Sequence, residues 1–189
     1  MALTDLTSPR QTARLTLRAM AEADLPTVYA YRSRPAVYEW ITTAHTSLDD
    51  FCTRVQRQLS ETDRLLLLVA ELDGDVIGDG MVKLTNGWAQ DDLPAAKRCQ
   101  AEIGYVIDDG YAGRGLATEL TGELLRIGFA DLGLRRMEAG CFADNLASRR
   151  VLEKCGFRLE GYFVRESLHR TRGWLDGCAY GVLAQDWVG

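Results

Sequence analysis

The chain of 189 residues lacks the features that mark several large classes of protein. Its longest apolar run, Leu65 to Ala70, is far below the roughly 20 residues that a membrane-spanning helix needs. No basic segment followed by an apolar stretch opens the sequence, so no secretory leader is read there and a cytoplasmic location is expected. Histidine is scarce: His45 and His169 are the only 2, far apart and without a nearby nucleophile motif, which argues against a Ser-His-Asp arrangement. The 5 cysteines, Cys52, Cys99, Cys141, Cys155 and Cys178, form no CxxC and no Cys/His pairing. Neither a zinc site nor a disulfide framework is expected from them, and Cys141 and Cys155 read as core thiols. Prolines number 4, and no Pro/Gly/Ser-rich linker, internal repeat or low-complexity tract divides the chain. One domain over residues 1–189 is expected, with about 1–11 a loose N-terminal extension. The basic residues are scattered rather than gathered into a stripe, which argues against a nucleic-acid footprint. A net charge of −5 with 47% hydrophobic residues describes a soluble globular protein whose acidity suits an amine or basic peptide as substrate.

What is present is a regular succession of periodic segments. Ala13, Leu15 and Leu17 alternate with Arg14, Thr16 and Arg18, predicting a half-buried strand. A helix is expected from near Asp24 to about Arg32, with Pro26 in its first turn. Ser47 with Asp50 resembles a capping box opening a second helix to about Ser60. Leu65–Glu71 and Val76–Leu84 read as a hairpin about Asp73-Gly74-Asp75, with Leu66, Leu68, Val76 and Met81, or their alternate neighbours, in the core. Residues 86–98 show neither period and read as a loop, in which Trp88 belongs either to an acceptor-binding flap or to a surface insert. A strand over Gln100–Ile107, a helix from Gly115 to about Asp131 and a strand over Arg136–Phe142 follow. Asp144 or Asn145 caps a further helix that ends at Lys154 before Gly156, and strands near 157–168 and 174–184 close the chain.

The run from Glu102 to Glu119 is the most informative. An alternating strand enters a turn, Gly113-Arg114-Gly115, that opens a helix with Leu116, Leu120, Leu124 and Ile127 on one stripe. The first amides of a helix have no intrahelical acceptor, and the macrodipole adds about half a positive charge there. The two glycines admit close approach of an anion and Arg114 adds a cation, which makes the turn a phosphate seat; an ordinary strand-to-helix turn is the alternative. No Gly-Lys-Ser/Thr follows, so a Walker loop is excluded, and Thr118 stands where a dinucleotide fingerprint needs its third glycine.

Residues Ala112 through Ala117 resemble instead the Gln/Arg-x-x-Gly-x-Gly/Ala loop by which the GNAT superfamily of N-acetyltransferases holds the acetyl-CoA pyrophosphate; Ala112 departs from its first position. Asn145-Leu146-Ala147-Ser148 with Glu153-Lys154-Cys155-Gly156-Phe157 is similar to a second segment of that superfamily, in the right order. Gly173-x-x-Asp176, with Trp174, Tyr180, Asp186 and Trp187, resembles the subgroup that acetylates ribosomal-protein N-termini. The resemblance covers the chain from about Arg14 onward. It implies an α/β (α+β) fold with a mixed, mostly antiparallel central sheet flanked by helices, acetyl-CoA as co-substrate and no metal.

Acetyl transfer to an amine requires a neutral nucleophile, stabilisation of the oxyanion at the thioester carbonyl and a proton for the thiolate. The resemblance implies Glu102 as base; a solvated charge at a strand end is the other reading. The tyrosine that many members use as acid is replaced by Leu152, leaving Ser148 as the hydroxyl directed at the sulfur, or as a helix-capping residue. Expected cofactor contacts are the backbones of Val106 and Ile107, the loop residues Ala112, Gly113, Arg114, Gly115, Ala117 and Thr118, and Asn145 on the pantetheine arm. The implied activity is direct acetyl transfer in a ternary complex to a primary amine of a peptide or small molecule, first among them a protein N-terminal α-amine. A small-amine acetyltransferase and a non-catalytic acyl-CoA-binding module are the alternatives. A monomer or homodimer is expected, with no membrane partner.

Overall fold

A computed structural model describes Leu3, residues 8–43 and residues 45–188. Of the extension expected over 1–11, residues 1, 2 and 4–7 lie outside the described residues.

One sheet holds eight strands in the order β1-β2-β3-β4-β5-β6-β8-β7. These are β1 (Arg10–Gln11), β2 (Thr16–Ala19), β3 (Leu65–Leu72), β4 (Asp75–Thr85), β5 (Gln100–Ile107), β6 (Arg136–Phe142), β7 (Arg158–His169) and β8 (Gly173–Leu183). Neighbours run antiparallel except β5 and β6, which are parallel. A parallel pair needs a crossover, and helix α4 (Leu116–Arg126), prolonged by a π-type turn over Ile127–Asp131, supplies it. The mixed, mostly antiparallel sheet matches the expectation.

Helices cover both faces. On one, α1 (Leu25–Arg32) and α3 (Leu48–Leu59) pack Leu25, Val28, Phe51 and Val55 against Val69. On the other, α4 and α5 (Leu146–Lys154) join a larger core with Leu66, Leu68, Ile77, Val82, Ala101 and Ile103. Leu120 and Leu124 are fully buried there, each contributing about 1.5–3 kcal/mol by leaving water. Because the sheet is sandwiched, alternate residues on both faces are covered, and β3 reads as a nearly continuous apolar run. Leu66 and Leu68 pack in the larger core with Ile77 and Val82, the alternate neighbours on β4, whereas Val76 and Met81 are only half-buried.

Local chemistry accounts for most boundaries. Ser47 Oγ accepts from the Asp50 amide at 3.1 Å, but the Asp50 carboxylate returns to the Thr46 amide at 3.1 Å rather than to Ser47, so half of the expected box is replaced. A short helix α2 (Pro35–Tyr38) was not expected; Pro35 sits at its first position, where a missing N–H costs nothing. Residues 86–98 hold one 3-10 turn, Pro94–Ala96. They are pinned by Gly87 N–H on the Ala96 carbonyl at 2.7 Å and by Arg98 N–H on Asn86 Oδ1 at 2.9 Å, while Trp88 is 96% exposed.

Residues 10 and 11 correct the expected loose extension. They form β1 on the edge of the sheet, and Arg10 pairs with Glu123 and, at 2.6 Å, with Asp131. Long-range ion pairs to the crossover helix and its π-type turn tie down a segment whose own sequence has no strand signal. Among the described residues no helix is long and apolar enough to cross a membrane.

Candidate active site

The sheet opens where its two halves follow different partners. β5 pairs with β6 only through Gln100↔Arg136, Ala101↔Met137 and Glu102↔Glu138. Beyond that point β5 stays with β4 as far as Gly78↔Ile107, and β6 stays with β8 as far as Phe142↔Gly177. The strands therefore part as a V with Glu102 at its vertex. From Ile103 to Ile107, β5 has no strand partner on the side facing the gap, and such an edge can pair with an extended amide-bearing arm. Val106 and Ile107 lie on that edge.

The gap leads to the start of α4. Gly113 and Gly115 have φ of 76° and 78°, in the left-handed region where a side chain costs about 1–2 kcal/mol. Gly115 is the N-cap and no side chain caps the helix. The Glu119 amide makes the first turn's bond to the Gly115 carbonyl at 3.1 Å; among the described residues, the amides of Gly113 through Thr118 have no protein acceptor. A Cβ on Gly113 would meet nothing within 4 Å, so the turn is open toward solvent. Arg114 sits 5.5 Å over the Tyr111 ring. Free amides, the positive end of a helix and open space fit a pyrophosphate. Ala112 donates its amide to Asp109 at 3.2 Å and offers only a methyl group. A groove of about 580 Å³ continues from Thr118 and Glu119 past Gly122 to Lys154, Cys155 and Trp187.

Glu102 and Ser148, the two expected catalytic residues, are not brought into contact. Strand alternation puts Glu102 on the α1/α3 face, beside Lys83 Nζ at 3.2 Å and in register with Glu138. Their side chains are 45% and 43% exposed. Arg136 donates to Glu138 at 2.7 Å and also pairs with Glu160. Ser148 stands on α5, over the opposite face, and the gap between β5 and β6 separates the two.

The structure adds a residue to the Ser148 side. The Tyr105 hydroxyl is 2.9 Å from Ser148 Oγ and donates to the Ser148 carbonyl at 3.2 Å. Burial pushes the Tyr105 phenol well above its ordinary range, so it remains a donor. Asn145 Oδ1 accepts from the Ser148 amide at 3.0 Å as N-cap of α5, which leaves its Nδ2 as the group free to donate. Leu152 is fully buried in the α4/α5 core. Cys141 lies beside Ser148, and burial pushes its thiol up to about 11; burial does the same for Cys155.

The histidines are structural or remote. His169 is 4% exposed; its Nε2 bonds the Glu39 carbonyl at 2.9 Å, and its Nδ1 accepts from the Arg172 amide at 3.2 Å. Arg170 donates to the Tyr38 carbonyl and, at 2.8 Å, to the Ile41 carbonyl. Together they fasten the α2 region to the β7–β8 turn, beside Trp40 and Phe142, whose rings are 6.4 Å apart. No group of metal-ligating side chains occurs among the described residues.

Comparison with known proteins agrees with this geometry. Residues 14–158 match the acetyltransferase (GNAT) domain family. An uncharacterized N-acetyltransferase, p20, of Bacillus licheniformis is 29% identical over 94% of this chain and 97% of its own. YnaD of Bacillus subtilis, an uncharacterized N-acetyltransferase, is 35% identical over 46% of this chain; the chain spans about half the length of this and another Bacillus subtilis relative. An aminoglycoside N(6')-acetyltransferase type 1 of Klebsiella pneumoniae is 26% identical over 84% of this chain and 87% of its own. Among solved structures, Mycobacterium smegmatis RimJ in complex with CoA-disulfide superposes with a TM-score of 0.76 at 25% identity, over 90% of this chain and 82% of that one.

Proposed function

Because the chain belongs to the GNAT acetyltransferase family, an acyltransferase family that uses acetyl-CoA, we propose that it acetylates a primary amine, the α-amine of a protein or peptide, by direct attack with both substrates bound. The observation that carries this reading is the V opened at Glu102↔Glu138, whose free edge runs into a helix start with unpaired amides.

Acetyl-CoA supplies an acetyl group on a thioester whose leaving group is a thiolate. The chain's own residues divide the remaining work. The amides of residues 113–118 and the Arg114 guanidinium hold the pyrophosphate, and the edge over Val106 and Ile107 pairs with the pantetheine amides. Backbone N–H groups near Tyr105 to Ile107 face the carbonyl oxygen. Asn145 Nδ2 donates to the arm. Glu102 takes a proton from the acceptor's ammonium, through a water where the carboxylate does not touch it, and so frees the neutral amine that attacks; Lys83 holds that carboxylate in place. Ser148 offers its hydroxyl hydrogen to the sulfur, aligned by Tyr105, and the proton reaches the thiolate from solvent or from Ser148.

The acceptor arrives from the α1/α3 face. Glu102, Glu138 and Glu160, set against Lys83 and Arg136, leave one negative charge in excess on this side of the gap, which favours an ammonium group. Their side chains are 41–45% exposed, so the site is shallow, as suits a chain end whose remainder stays in solvent. Likeness to a putative ribosomal N-acetyltransferase of Bacillus subtilis, 33% identical over 58% of this chain and 56% of its own, supports a protein acceptor. Likeness to an aminoglycoside acetyltransferase supports the second reading, a small polyamine or antibiotic amine.

A panel of peptides with free α-amines, run beside polyamines, amino acids and aminoglycosides, tests the reading through acetyl-CoA-dependent thiol release and mass spectrometry of the product. Acetylation of peptide α-amines in preference to the small amines is expected. Turnover confined to small amines refutes the peptide acceptor, and tight cofactor binding with no turnover of any amine refutes the enzyme reading.

A further inference from the structure

We infer that Arg14, which comes from the turn between β1 and β2, is a phosphate-binding residue of the cofactor cradle. The inference rests on the cofactor assignment above. Arg14 Nη1 donates to the Arg114 carbonyl at 2.9 Å, the carbonyl between the two left-handed glycines. Its Nη2, which spends one N–H on Glu119 Oε2 at 2.7 Å, lies 3.6 Å from the point a Cβ on Gly115 would occupy. A guanidinium held there stands in contact distance of the open turn, with N–H bonds left over after its protein partners are counted.

Arg14 is held from several sides although its side chain is 45% exposed. Glu119, in the first turn of α4, accepts from Arg14 Nε at 2.7 Å, the Arg14 amide at 2.6 Å and Thr12 Oγ1 at 2.6 Å. Burial by itself would raise the Glu119 carboxyl, but these bonds hold it below its ordinary value, so it is ionised. An unneutralised carboxylate beside a helix start that seats phosphates would repel them. Arg14 cancels that charge, covers a carbonyl dipole that points the wrong way for an anion and adds a forked donor suited to phosphate oxygens. Glu119 and the Arg114 carbonyl both hold the guanidinium; contacting phosphate is the task of Arg14.

Arg14 and Glu119 therefore predict opposite effects, whereas a purely structural pair predicts the same one. Calorimetric titration of coenzyme A into the wild type, Arg14→Ala, Arg14→Lys and Glu119→Gln separates these, with thermal unfolding of each ligand-free variant measured alongside. Arg14→Ala is expected to weaken coenzyme A binding on the order of 10-fold or more, with a smaller loss for Arg14→Lys. Glu119→Gln removes the negative charge and can accept on one side of the cluster only, while the Arg114 carbonyl still holds the Arg14 guanidinium, so it is expected to bind coenzyme A at least as tightly as the wild type even though its unfolding temperature falls. Wild-type affinity in Arg14→Ala, or equal losses of affinity in Arg14→Ala and Glu119→Gln, overturns the inference while leaving the cofactor assignment intact. A wild-type protein that fails to bind coenzyme A overturns both.

Discussion

The Tyr105 phenol, from β5, stands 2.9 Å from Ser148 Oγ, from the first turn of α5, so a strand and a helix meet in one hydroxyl pair at the mouth of the gap. The phenol is also 3.2 Å from the Ser148 carbonyl, to which it can donate, and either hydroxyl can donate across the shorter contact. When Ser148 turns its own hydrogen to a sulfur, its oxygen becomes an acceptor for the phenol. In the proposed mechanism Tyr105 would fix the direction in which Ser148 donates.

Ser148→Ala is expected to lower turnover by about 10-fold or more with the acceptor KM little changed, the pattern of an interaction made chiefly in the transition state. Tyr105→Phe should reproduce part of this loss, and the double variant should lose less than the product of the two, because both act through one hydrogen bond. Steady-state kinetics on a confirmed acceptor decides it. Unchanged turnover in Ser148→Ala, with chemistry rate-limiting, leaves Ser148 a capped helix residue and gives the thiolate its proton from solvent.

Replacing Glu102 by Gln tests the base. Turnover should fall by about 10²–10⁴-fold while acetyl-CoA affinity holds. The deficit should narrow as pH rises, since more of the amine is then neutral without help. A pH profile of kcat/KM parallel to that of the wild type would assign the proton to another group.

Direct attack leaves no role for an acetylated cysteine. The Cys141 thiol, pushed up to about 11 by burial, is overwhelmingly protonated at neutral pH and so a poor nucleophile. Cys141→Ala should retain most activity, and rapid-quench mass spectrometry should find no acetylated protein before product appears. A stoichiometric acetyl-enzyme burst would put the covalent route in its place.

Stability should have an acid limb traceable to Asp24. Its carboxylate accepts from Arg18 at 2.7 and 2.8 Å and from the Ala21 amide at 2.8 Å, and the Arg18 bonds hold its pKa below the ordinary value. A lowered folded-state pKa stabilises fully above the unfolded aspartate range and is lost as pH falls through the folded value. Wild-type unfolding temperature should therefore drop below about pH 4, and Asp24→Asn should be less stable at neutral pH but flatter across that range. Parallel curves for the two proteins would remove Asp24 from the acid response.

The elements nearest the site were the most legible in sequence. Gly113 and Gly115 announce a tight turn because left-handed φ has few other occupants, and Gly156 marks the end of α5 for the same reason. Alternation over Gln100–Ile107 places Tyr105 with Ala101 and Ile103 on one face, but nothing in that period says that Ser148 lies above it. Arg14 was opaque, since its partners Arg114 and Glu119 are 100 and 105 residues away and no local pattern encodes such a pairing. The same holds for Arg10 with Glu123 and Asp131, which turned an expected loose segment into an edge strand. The parting of β5 from β6 is likewise a property of two hairpin-like halves keeping their own partners, and is invisible in either strand by itself.

The account stands or falls on where the cofactor sits. Titration of coenzyme A into the wild type and into Gly115→Glu, with the variant's fold verified by circular dichroism and thermal unfolding, tests this most directly. The wild type should bind, and the folded variant, with a bulky carboxylate at the helix start where the pyrophosphate belongs, should not. Equal affinity in the two proteins would contradict the placement of the pyrophosphate on this turn.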